Sequence, residues 1–268
     1  MQSGIKLQPY SLLKDNRYRI VRHLADGGEG YVYLAQDIAN NNQVRVIKQM
    51  YFEACELEGI EKDYQMFSGL FHPNIVQVMD FFWENHVFYV VMNYVAGSSL
   101  KNFLKQAAKP IDELKVLDWA TRLAHILDFL HTRPTPIIHA DVAPDNIVLT
   151  SRNDLILIDF GIARSNFEAV GLRPGYSAPE QMQGILDESC DVYSLGATMF
   201  RCLTGRNQAA PGEDPRAYND LISTNTANLI KKATHGKRDS LFGMIKGRYH
   251  DMAEFLEAIS ESYVAQRV

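Results

Sequence analysis

Cysteine is scarce in this chain and poorly placed for pairing. Its three copies, Cys55, Cys190 and Cys202, are odd in number and far apart in a 268-residue sequence. They suit neither a disulfide framework nor a zinc site, and they point to a reducing, cytoplasmic setting. No apolar run approaches the roughly 18–20 residues that a bilayer-spanning helix needs, so no membrane partner is expected of this chain. The N-terminal stretch MQSGIKLQPYSLLKDNRYRIV lacks the apolar core of a signal peptide. Positive charge is not in excess either. The 27 basic residues are outnumbered by 32 acidic ones, and a net charge of −5 argues against nucleic acid as a partner. Charged residues make up only 22% of the chain against 46% hydrophobic, which excludes disorder as the main state. What remains is an ordinary globular chain, long enough for one large domain or two modest lobes.

The two ends of the chain read differently. Segments 18–24, 31–36, 44–49, 76–82 and 87–93 are rich in β-branched and aromatic residues and read as strands. Turn-forming stretches separate them: Asp26-Gly27-Gly28-Glu29-Gly30, Asn40-Asn41-Asn42 and Glu84-Asn85. An antiparallel meander is expected, interrupted by one helix over 53–69 that stops before His72-Pro73. Beyond Gly97 the period becomes helical. Val116, Trp119, Ala120, Leu123, Ala124, Leu127 and Leu130 form one broad apolar stripe. A short hairpin over 146–150 and 155–158 follows. Segment 191–204 is apolar on nearly all sides and reads as a buried helix stopped by Gly205. The tail from Arg216 is helical, and Met252, Phe255, Leu256 and Ile259 mark the last helix.

Five short stretches carry chemistry. Ala25-Asp26-Gly27-Gly28-Glu29-Gly30-Tyr31-Val32 lies between two strands, where glycines let backbone N–H groups approach a phosphate. A plain hairpin turn accounts for it equally well. Val46-Ile47-Lys48 ends an apolar strand. Taken alone, Lys48 reads as exposed; it can point inward only with an acidic partner, for which Glu61 and Asp63 are the candidates. His139-Ala140-Asp141-Val142-Ala143-Pro144-Asp145-Asn146 sets Asp141 and Asn146 to face one site from a loop. Ile158-Asp159-Phe160-Gly161 offers a cation ligand at a turn, and Ala178-Pro179-Glu180 precedes the buried helix.

In this order, the glycine loop, strand lysine, H-x-D-x-x-x-x-N, D-F-G and A-P-E resemble the signature of the protein kinases. The likeness covers about residues 18–260, and stretches such as GYVYLAQD, HPNIVQVMDFF and PGYSAPEQ resemble bacterial Ser/Thr kinases of the eukaryotic type. The resemblance implies an α+β, bilobal fold. It comprises an extension over 1–17, a small antiparallel-sheet N-lobe with one helix over 18–94, and a larger, mainly helical C-lobe over 95–268. It implies ATP and Mg²⁺ as cofactors and a protein substrate or regulatory protein as partner. By the same resemblance Asp141 would orient the substrate hydroxyl, Lys48 would hold the ATP phosphates, and Asn146 and Asp159 would hold the metal. Gly27, Gly28 and Gly30 would cover the phosphates. Leu24, Val32, Val46 and Val148 would sandwich adenine, with Met92 as gatekeeper and Asn93-Tyr94-Val95 as hinge. Asp191 would anchor the catalytic-loop backbone, His139 would be structural, and Glu180 would pair with Arg248, with Arg238 as the alternative.

The chain also departs from the family pattern. Ala25 replaces the first loop glycine, and Asp63 stands where the helix glutamate is expected. Ala140 replaces the arginine that reads activation-loop phosphorylation, and Ser165 is the only hydroxyl in 162–175, so activity independent of that modification is expected. Ala143 and Asp145 satisfy neither the Ser/Thr nor the tyrosine kinase pattern, which leaves a cation missing near the transferring phosphate. Arg173 replaces an expected threonine, and its charge would substitute in part for that cation. Besides an active Ser/Thr kinase, the departures allow a pseudokinase acting as a nucleotide-binding regulatory module, or a small-molecule kinase.

Overall fold

The computed structural model describes residues 5–27, 30–51, 57–159, 172–236 and 247–266. The chain divides into two compact units, with the boundary between Ala96 and Gly97.

The first unit is a six-stranded antiparallel sheet with one helix. Its strands are β1 (Leu12–Leu13), β2 (Tyr18–Gly27), β3 (Gly30–Asp37), β4 (Gln43–Met50), β5 (Val78–Glu84) and β6 (Val87–Asn93), and α1 spans Leu57–Ser68. The spatial order is β1-β2-β3-β4-β6-β5. The meander holds from β2 to β4 and then breaks, because β6 rather than β5 pairs with β4. Side-chain burial explains the swap. Phe88, Tyr89, Val90 and Val91 are all buried, so β6 suits a central position, whereas β5 exposes Met79 and suits an edge. A two-residue turn at Asn85 and His86, both at positive φ, joins β5 to β6, since Glu84 pairs with Val87. The short strand β1 has no counterpart in the sequence reading. It pairs with β2 and helps the N-terminal stretch cover one face of the sheet, where Leu7 N–H donates to the Tyr33 hydroxyl at 3.0 Å.

The two faces of this sheet have different roles. Leu13, Tyr18, Ile20, Tyr33, Ala35, Ile47, Tyr89 and Val91 form a closed core on one side. Directly opposed residues share a face and alternate residues share a face. The pairings Val32–Lys48, Val46–Met92 and Lys48–Val90 therefore put Val32, Val46, Lys48 and Met92 together on the other side. Helix α1 packs on that same side, where the Tyr64 hydroxyl meets Met50 Sδ at 3.4 Å and its ring lies 5.2 Å from that of Phe88.

The second unit is mainly helical. It contains α2 (Leu100–Gln106), α3 (Glu113–His131), α4 (Glu188–Thr204), α5 (Thr224–Ala233) and α6 (Met252–Ala265). A three-stranded sheet of β7 (Gly97–Ser99), β8 (Ile147–Thr150) and β9 (Leu155–Leu157) lies beside them. The apolar stripe of α3 is buried along its whole length. Helix α4 is buried on all sides and ends at Gly205 in a left-handed conformation (φ 70°), as its sequence implies. It begins three residues earlier than the apolar pattern suggests, because the polar side chain of Asp187 caps it by accepting from Ser189 N–H at 3.1 Å. Gly97 lets β7 approach β8 closely, since a Cβ there would lie 2.5 Å from the Leu149 carbonyl oxygen.

Candidate active site

In the second unit the site is built around Asp191. Its side chain is fully buried in the first turn of α4, so its charge requires donors. The backbone N–H groups of His139 and Ala140 supply two, at 2.9 and 2.7 Å, and His131 Nε2 lies 2.8 Å from Oδ2. Burial opposes charge on His131. The Asp191 hydrogen bond and the negative charges of Asp191, Glu188 and Asp128 outweigh it, and the imidazole is held above its ordinary value.

These bonds fix a strained loop. Ala140 lies at φ 62°, a left-handed conformation that costs roughly 1–2 kcal/mol for a residue with a Cβ. Further bonds offset the strain: Gln181 Nε2 donates to the Ala140 carbonyl at 2.9 Å, and the Thr198 hydroxyl donates to the Val142 carbonyl at 2.8 Å. His139 Nδ1 accepts from Asp141 N–H at 3.3 Å, so this nitrogen braces the loop, in keeping with a structural role.

Asp141 sits on the loop so fixed. Asn146 Nδ2 donates to its Oδ2 at 2.7 Å and to its carbonyl oxygen at 2.9 Å. Arg173 approaches the same carboxylate with two donors. Nε lies 2.7 Å from Oδ1 and Nη2 lies 2.7 Å from Oδ2, while Nη1 reaches Asp145 Oδ2 at 3.2 Å. The Asp141 hydrogen bond, against burial, holds the guanidinium above its ordinary value, aided by the charges of Asp141, Asp145 and Asp159. Three carboxylates therefore act on one cation. Asp159 joins them because Ile158 N–H donates to the Asn146 carbonyl at 2.8 Å, which sets Asp159 at the same end of the β8–β9 hairpin. Val148 lies two residues along β8 from Asn146 and is nearly buried.

Glu180 pairs with Arg248, which contacts Oε1 through Nη1 and reaches Oε2 through Nη2 at 3.4 Å. Arg248 also donates to the His235 carbonyl. The alternative partner, Arg238, lies outside the described residues, as do Gly28, Phe160, Gly161 and Ser165.

In the first unit, Lys48 is buried at 6% exposure, which corrects the expectation of a solvated lysine. Asp63 on α1 is buried at 4% exposure, and α1 covers the sheet face that carries Lys48. Glu61, the other candidate, is exposed and accepts from Trp83 Nε1 at 2.8 Å. Val32, Val46 and Met92 stand on the Lys48 face and are only partly buried, unlike the closed core opposite. Leu24 lies in a bulged part of β2 between His23 and Ala25. At the end of β6, the Asn93 N–H is engaged by the Gln77 carbonyl at 3.0 Å and its side chain accepts from Arg45 at 3.3 Å. Val95 follows after the strand. Gly30 is required by the sheet itself, because a Cβ there would lie 1.8 Å from the Gln49 carbonyl oxygen. Gly27 faces no such obstruction; the nearest atom to its Cβ would be 3.4 Å away.

The residue that sequence reasoning left without a partner is Arg173. Its signal was a lone cation where a hydroxyl was expected, in RPGYSAPE.

The sequence profile of the protein kinase domain matches residues 18–268. The serine/threonine-protein kinase PrkC of Bacillus subtilis is 30% identical over 244 residues, covering 81% of this chain and 37% of that protein. The serine/threonine-protein kinase PknA of Nostoc sp. is 33% identical over 260 residues, covering 82% of this chain and 44% of that protein. The chain thus spans less than half the length of these curated relatives. A crystal structure of a double mutant of the Mycobacterium tuberculosis PknI kinase domain superposes with a TM-score of 0.78 at 25% identity, covering 96% of this chain and 99% of that one. The chain belongs to the protein kinase domain family, of the eukaryotic type found in bacteria, and has its α+β fold. Among the described residues no helix is long and apolar enough to cross a membrane.

Proposed function

We propose that this chain transfers the γ-phosphoryl group of ATP to serine or threonine hydroxyls of protein substrates, in a Mg²⁺-dependent reaction. The observation that carries this reading is the Asp141 carboxylate, oriented by Asn146 and Arg173 on a loop whose backbone is bound to buried Asp191. Asp141 accepts or orients the proton of the attacking hydroxyl. Lys48 holds the α- and β-phosphates, and the backbone at Gly27, Gly28 and Gly30 covers them. On the first unit, Leu24, Val32 and Val46 line the adenine site beside Met92. Because the Asn93 N–H is already engaged, Asn93 offers the base its carbonyl, and Val95 supplies the donor.

The donor set suits magnesium. Asn146 uses its amide N–H₂ group on Asp141, which leaves its amide oxygen for a cation, and Asp159 adds a carboxylate at the same end of the hairpin. When bound, Mg²⁺ neutralises phosphate charge. Arg173 is a positioning residue. It brings to Asp141 the positive charge that Ala143 and Asp145 omit, and Ala140 replaces the arginine that would read a phosphorylated activation loop. Activity is therefore independent of loop phosphorylation.

Incubation of the purified chain with γ-labelled ATP, Mg²⁺ and a generic protein acceptor tests this reading. Label recovered as phosphoserine or phosphothreonine is expected. Label recovered only on a small-molecule acceptor, or nucleotide binding without transfer, would overturn it.

A further inference from the structure

We propose that a basic pocket beside the catalytic loop docks an anionic side chain of the protein substrate, a carboxylate or a phosphorylated residue flanking the acceptor hydroxyl. The proposal rests on the protein-kinase reading above. The pocket has a volume of about 560 Å³, lies wholly within the second unit, and is lined by Lys101, Lys105, Asp145, Arg173, Arg201 and Arg206. Five of its ten lining residues are cations and one, Asp145, is an acid, in a chain whose net charge is −5.

The cations converge from separate elements. Lys101 and Lys105 are four apart on α2 and so share a face. Arg201 lies in the last turn of α4, and Arg206 follows its glycine cap. Two of the five are balanced: Lys101 binds Asp145 at 2.6 Å, and Arg173 binds Asp141 and Asp145. The other three, Lys105, Arg201 and Arg206, have no carboxylate partner among the described residues. Arg201 donates to the Gly205 carbonyl, and the Arg206 guanidinium lies 5.4 Å from the centre of the Tyr218 ring. Helix capping occupies one of five guanidinium N–H groups on Arg201, and ring stacking leaves the edge donors of Arg206 available.

A hydrogen bond links two residues of the pocket wall. The Tyr176 hydroxyl donates to Asn207 Oδ1 at 2.9 Å, tying the stretch after Arg173 to the stretch after Arg206. Uncompensated cations around such a concavity focus a positive potential, and guanidinium groups match carboxylate and phosphate oxygens. Arg173 belongs both to the pocket and to the Asp141 pair. An anion seated there adjoins the group that handles the acceptor hydroxyl, as a neighbouring substrate side chain would.

The test uses the full chain and fluorescent peptides with alanine at the acceptor position, flanked by glutamate, phosphoserine, glutamine or lysine. Fluorescence anisotropy should show the glutamate or phosphoserine peptide binding at least about tenfold tighter than the glutamine peptide. The tighter of the two anionic peptides names the source of the charge. Added salt should erode the preference. The double variant Lys105→Glu, Arg206→Glu changes two exposed side chains, and in it the preference should vanish or pass to the lysine peptide. Equal binding of all peptides, or a preference that survives the charge reversal, overturns the proposal. Because these peptides lack an acceptor, the measurement reads the pocket whether or not phosphoryl transfer occurs. Failure of transfer to serine versions of the same peptides would count separately, against the proposed function.

Discussion

Arg173 and Asp141 meet fork to fork, with Nε and Nη2 each 2.7 Å from a different oxygen of the same carboxylate. They lie 32 positions apart in sequence, and the carboxylate belongs to a loop that lacks cations of its own. If Arg173 supplies the missing charge, Arg173→Ala lowers kcat on the order of 10²–10³-fold while the rise in Tm on adding ATP persists. Adding Ala143→Lys to that variant should recover part of the rate. A rate that rises in Arg173→Ala would mean that the pair restrains Asp141.

The His131–Asp191 pair predicts a pH dependence of stability. The folded state raises the imidazole pKa above the ordinary value of about 6.5. The contribution is therefore fully present below that value and is lost as pH rises through the higher, folded-state value. The Tm advantage of wild type over His131→Gln should be largest below the ordinary imidazole value and should shrink as pH rises above it. Asp191→Ala should be more severe, costing about 3–5 kcal/mol, because it strands two buried backbone N–H groups and the imidazole. An advantage that grows with pH would contradict this account of the pair.

Loop phosphorylation should have no effect on rate. Ser165→Ala, which removes the only hydroxyl in 162–175, should leave phosphoryl transfer unchanged, as should phosphatase treatment of the wild type. A large loss in either experiment would show that Ala140 does not mark a loop-independent enzyme.

Two glycines of one loop separate structure from ligand binding. Gly30→Ala should lower Tm sharply in the absence of nucleotide, because its Cβ collides with the Gln49 carbonyl. Gly27→Ala, with room for a methyl group, should leave the apo Tm nearly unchanged and weaken the ATP-induced rise. Equal behaviour of the two variants would refute the distinction.

The longest periodic segments were the most legible in sequence. The α3 stripe, the all-round burial of α4 and strands β2 to β4 follow directly from residue spacing. Strands β1 and β7 did not, since two and three residues are too few to show a period. Helix α2 was missed for the same reason of length. The order of β5 and β6 depends on which strand is buried on both faces, a property of the whole sheet. In the site, the motifs located Asp141, Asn146 and Asp159, but the fork on Asp141 comes from a residue far along the chain. Lys48 could be read as buried only once α1 was seen to pack on the face of the sheet that carries it.

The most direct test of Asp141 as the group that handles the acceptor hydroxyl is phosphoryl transfer by wild type and Asp141→Asn in parallel, with the ATP-induced rise in Tm recorded for both. Wild type should label a protein acceptor. Asp141→Asn should lose transfer by about 10² or more while keeping its nucleotide-induced stabilisation. Equal transfer by the two proteins, or none by wild type, would contradict that role.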